Sequence, residues 1–114
     1  MHVDRAEFER LVEAALDAIP DEIARQVANV VVLVEDDPPP DEPDLLGVYD
    51  GVALTERYAD HTGLPDRITI FRRPLLAMCR DRDELVHEIG VTVVHEVGHH
   101  FGIDEHRLHE LGYG

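Results

Sequence analysis

The stretch LVHEIGVTVVHEVGHHFG, residues 85–102, lays an apolar stripe and a set of reactive side chains along one helix. Leu85, Ile89, Thr92, Val93, Glu96 and His99 recur at the three- and four-residue spacing of a helix face. Asp81 or Asp83 stands where an N-cap is needed, and Gly102 where a left-handed residue ends a helix. The spacing predicts a buried, capped helix whose last turns carry His95, Glu96 and His99.

A helix turns about 100° per residue, so residues four apart lie one turn above each other and His95 and His99 present their imidazoles on one side. Two nitrogens at that spacing suit one metal ion. Glu96 points away from the shared edge but stays close enough to handle a water on that ion, the general-base position of the HExxH pattern. The dipeptide recurs at His87-Glu88 and His109-Glu110, yet Val91 and Tyr113 occupy the fourth positions there. Only the copy at 95 has its second histidine. His87 lies about two turns before His95, too far along the axis to share an ion. His100 falls about 140° around the helix from His95 and is expected to face away, in a structural role or as a donor behind the ligands. Gly90 and Gly98 are expected to let the sheet or the first helix approach.

Outward from this helix, the chain reads as one domain over residues 1–114. Its formal charge of −15 and lack of any lysine exclude clustered positive charge, and with it nucleic acid or an anionic membrane as partner. No apolar run reaches the length of a membrane span, the longest being VANVVVLV. A lone Cys79 excludes an internal disulfide, and the charged start MHVDRAEFER is unlike a secretory signal, so the expected location is the cytoplasm of a bacterium. Oligomeric state is not legible.

Residues 4–19 predict an amphipathic helix, with Asp4 and Glu7 as a capping-box start and Phe8, Leu11, Val12, Ala15, Leu16 and Ile19 as its stripe. A short helix is expected over 21–25. Val27 to Val34 shows little alternation and predicts a central strand buried on both faces. The segment EDDPPPDEPD, residues 35–44, is a stiff solvated connection that lacks the order of a calcium loop. Leu46 to Leu54 predicts two short strands about Asp50-Gly51, and Asp66 to Phe71 a half-exposed strand. A polar loop containing His61 and Gly63 lies between them. A short helix from Pro74 through Met78 precedes the long helix, and a last one runs from about Glu105 to Leu111. This order predicts an α+β domain with a small sheet.

HEVGHHFGIDEHRLHELG, DRITIFRRPL and LGVYDGVALTER together resemble a family of small bacterial zincin-like metallopeptidases, over most of the chain. The resemblance implies a minimal zincin-like domain, a small mixed sheet packed against an N-terminal helix and the HExxH helix, with a Zn2+ site on that helix. The longer pattern HExxHxxGxxH is matched at His95, Glu96, His99 and Gly102, but its eleventh residue is Glu105 and no methionine follows. Two histidines and a glutamate can hold catalytic zinc. Glu105 is therefore the expected third ligand, with His106, Asp104 and His109 as alternatives.

The expected activity is zinc-dependent hydrolysis of a peptide bond in a peptide or protein substrate, with Glu96 as general base. An oxyanion stabiliser is required, for which Tyr49, Tyr58, Tyr113 and the arginines are candidates. The substrate is expected to lie along an exposed strand edge at Asp66 to Phe71. Two other readings compete: a zinc-stabilised binding module without turnover, and an acidic interaction protein without metal.

Overall fold

The computed structural model describes residues 1–51 and 65–114. The first helix, α1, spans Arg5–Asp17 and starts where expected, with the Asp4 carboxylate accepting the Glu7 N–H at 2.8 Å. Phe8, Val12, Ala15 and Ile19 are buried, so the amphipathic stripe faces the core as its spacing required. The Glu7 carboxylate does not turn back on Asp4. It receives two hydrogen bonds from Arg82, which ties α1 to the start of the long helix.

Helix α2, Asp21–Val27, follows Pro20 and takes in Val27, so the first strand, β1, begins later than expected, at Val30–Glu35. Strand β2 is Gly47–Asp50 and β3 is Asp66–Phe71. The sheet order is β1-β3-β2, with β1 parallel and β2 antiparallel to β3. This mixed three-stranded sheet and the helices make the α+β domain expected.

Two strand assignments are corrected. β1 is an edge strand among the described residues, not a central one, and its outward side chains Val31 and Leu33 are 40% and 41% exposed. A run of valines has no polar partner to reveal which face is wet. β3, in contrast, is the middle strand, with Asp66, Ile68, Ile70 and Phe71 buried, so Asp66 to Phe71 is no free edge for a substrate. Its half-exposed character is as expected, with Ile68 and Ile70 buried and Arg67 and Thr69 on the wetter face; only the edge position is corrected. The second strand of the expected 46–54 hairpin falls on residues outside those described, as do His61 and Gly63.

Helix α3, Arg72–Met78, starts two residues before Pro74, which sits in its first turn where the missing N–H costs nothing. The acidic loop after β1 is tied to it, Asp36 to Arg72 at 2.8 Å and Asp37 to Arg73 at 2.6 Å. The long helix, α4, spans Arg82–Phe101, with Asp81 as its N-cap and Gly102 closing it at φ 68°. Between these caps it buries Leu85, Ile89, Thr92, Val93, Val94 and Val97, and it packs against α1 and against β2 and β3. The last helix, α5, is Glu105–Glu110, capped by Asp104. Neither helix glycine receives the sheet. Gly90 faces the Tyr113 ring and the Ala15 carbonyl of α1, and Gly98 faces Leu108 of α5.

Candidate active site

The final turns of α4 lift three reactive side chains out of the core. Val93, Val94 and Val97 are fully buried, which fixes the helix rotation and leaves His95 and Glu96 half-buried at the boundary and His99 exposed. Burial raises the Glu96 pKa above the ordinary carboxylate value; His99 and His95 nearby, and a hydrogen bond from the Tyr49 main chain, work against that rise. Glu96 thus sits where α4 meets β2, as a carboxylate with a strengthened hold on a proton.

β2 can come that close because Gly47 has no side chain. A Cβ there would stand 2.9 Å from Thr92 Cγ2. Two residues on, the Tyr49 hydroxyl donates to the buried Asp66 carboxylate on β3. His100 lies flat on the Tyr49 ring, with centroids 4.1 Å apart and planes 18° from parallel, and its Nε2 is 4.0 Å from Asp66 Oδ2. Tyr49, Gly51, Glu96, His99 and His100 line one open cavity of about 420 Å³. His100 is therefore part of the cavity wall with Glu96, one turn along the same helix edge. That placement was available from the four-residue spacing of Glu96 and His100, although nothing in the local sequence signals Tyr49 and Asp66 beneath it.

His95 is differently engaged. Its Nε2 lies 2.6 Å from the main-chain carbonyl oxygen of Tyr113, and a carbonyl only accepts, so this nitrogen carries the proton and donates it. The His95 and His99 rings stand edge to face at 82°, centroids 6.3 Å apart. Tyr113 itself is removed from the cavity: its hydroxyl donates to the Ala18 carbonyl at 3.2 Å and its ring stacks near His87. Of the tyrosines considered as oxyanion stabilisers, Tyr49 lines the cavity, Tyr113 does not, and Tyr58 lies outside the described residues.

Glu105 is exposed in the first turn of α5, beside the N-cap Asp104, whose carboxylate accepts the His106 N–H at 2.9 Å. The His106 ring faces Glu110 at 3.6 Å, and His109 is exposed. Among the described residues no three His, Cys, Asp or Glu side chains gather as a metal-binding group, so Glu105 is not brought to His95 and His99. The donor set fits zinc in kind, two imidazoles one helical turn apart with a half-buried carboxylate between them.

Among the described residues no helix is long and apolar enough to cross a membrane. No curated protein matches the sequence. A solved structure of a conserved hypothetical protein from Thermus thermophilus is similar in fold, with a TM-score of 0.56 at 23% identity over 87% of this chain and 94% of that one. Residues 27–114, which hold the whole sheet, the cavity and the His95, Glu96, His99 helix, match the zincin-like metallopeptidase family, and the chain belongs to that family.

Proposed function

We propose that this protein is a zinc-dependent peptidase in which His95 and His99 hold the metal and Glu96 is the general base. The observation that carries this reading is the placement of Glu96, half-buried between the two histidines and facing an open cavity. Zinc, when bound, supplies a Lewis acid that makes water acidic and polarises a carbonyl.

The chain's own residues supply the rest. Glu96 takes the proton of the attacking water and passes it to the leaving amine, and partial burial suits both halves of that transfer by raising its proton affinity. The Tyr49 main chain steadies the Glu96 carboxylate, while the hydroxyl and ring of the same residue are held by Asp66 and His100. Substrate is a peptide or an unfolded protein segment that enters the open cavity, and the expected setting is the cytoplasm.

The test is hydrolysis of an unstructured protein such as casein, and of a mixed fluorogenic peptide pool, by zinc-loaded protein and by Glu96→Gln. Cleavage that disappears in Glu96→Gln while zinc content stays the same is the expected result. Equal cleavage by the variant would sink the mechanism. The openness of the cavity favours one second reading, a zinc-stabilised binding module without turnover. Stoichiometric zinc with no cleavage of any of these substrates would select it.

A further inference from the structure

The contact between His95 and Tyr113 bears on when the site can take its metal. A nitrogen that donates its proton to a carbonyl has no lone pair for an ion, so Nε2 of His95 cannot serve Tyr113 and zinc together. The hydrogen bond leaves Nδ1 untouched, so the conflict lies at Nε2. His99 is exposed and can turn, whereas His95 is held by Tyr113.

Tyr113 is itself well anchored, which makes its hold on His95 specific. Its N–H donates to the Leu108 carbonyl at 2.9 Å and its hydroxyl to the Ala18 carbonyl at 3.2 Å. Its ring lies over Gly90, where a Cβ would stand 3.2 Å from Cε1, and alongside His87 with centroids 6.2 Å apart. The ring thus lines the notch between α1 and α4 beside the glycine, and the Tyr113 carbonyl reaches the first histidine of the motif.

Resting on the metal reading above, we propose that Tyr113 is a positioning residue that latches the Nε2 of His95 away from the ion, so that zinc binding at that nitrogen and the Tyr113–His95 hydrogen bond exclude each other. The latch lowers apparent metal affinity by the fraction of molecules in which it is closed. It opens by a shift of Tyr113 and a turn of one imidazole.

The experiment measures zinc affinity of metal-free protein by competition with a chromophoric chelator, for the wild type, Tyr113→Ala and Gly90→Ala. Gly90→Ala acts from the other side of the contact, by crowding the Tyr113 ring while leaving the 113 position untouched. Both variants are expected to bind zinc about fivefold to tenfold more tightly, the shift that follows when one neutral hydrogen bond ceases to compete. Damage to the fold would shift affinity the other way. In the wild type, zinc is expected to speed hydrogen exchange at the Tyr113 amide. Unchanged or weaker zinc binding in both folded variants, or unchanged exchange in zinc-loaded wild type, overturns the latch. Absence of zinc binding in all three proteins overturns the metal reading itself, and the latch with it.

Discussion

Gly47 and Thr92 meet where β2 crosses α4, so closely that a Cβ on the glycine would lie 2.9 Å from Thr92 Cγ2. The threonine cannot easily turn aside, because its hydroxyl donates to the Glu88 carbonyl at 2.8 Å, and the Thr69 carbonyl closes the other side at 3.2 Å. The approach of Tyr49 to Glu96 depends on this missing side chain.

Gly47→Ala is therefore expected to destabilise the protein by about 1–3 kcal/mol, the usual cost of overpacking a filled contact. Urea denaturation checks it. Thr92→Ser in the same chain removes Cγ2 and should recover part of the loss. A single variant as stable as the wild type would show that β2 and α4 are not held this closely.

Tyr49→Phe keeps the ring under His100 and the main chain beside Glu96 but removes the hydroxyl that donates to Asp66. The expected loss is about 1–2 kcal/mol, appropriate to a partly buried hydrogen bond to a carboxylate. If the stability of Tyr49→Phe matches that of the wild type in thermal melts, the bond contributes nothing net.

Asp81 accepts the Glu84 N–H at 2.8 Å and begins the helix that carries the site. Asp81→Ala should lower stability by about 1 kcal/mol, the typical worth of an N-cap. Zinc binding at the other end of the helix should persist, since the intervening turns are held by buried side chains. Loss of zinc binding in a folded Asp81→Ala protein would contradict this separation.

The Cys79 thiol is buried, and burial pushes its pKa up to about 11, with Glu84, Glu88 and Asp81 adding in the same direction. The folded state favours the neutral thiol. Its contribution to stability is intact below the unfolded thiol pKa and is lost as pH rises through about 11. At pH 8 a disulfide reagent should react slowly with native protein and completely once guanidinium unfolds it. Rapid native reaction would show that the thiol is open to solvent.

The helices were legible because their determinants are local. Asp4, Asp81 and Gly102 each cap the helix that their position implied, and the apolar stripes of α1 and α4 face the core. The strands were read less well. The valines of β1 looked central and the mixed side chains of β3 looked peripheral, and the sheet reverses them. Strand order depends on which edges pair across the chain, and a run of six residues carries no record of its neighbours.

The same division applies to the site. From the sequence alone follow the His95, Glu96, His99 constellation and the helix beneath it, since four-residue spacing on a capped helix places those side chains regardless of what surrounds it. Family membership was legible for the same reason. Only the tertiary structure decided that Tyr49 and Asp66, far apart in sequence, meet under His100, that Glu105 stands exposed on its own short helix, and that Tyr113 holds His95. Helical spacing sets which side chains share an edge. The docking of separate elements, governed by shape, by small residues such as Gly47 and Gly90, and by the need to satisfy each polar group, sets what those side chains touch.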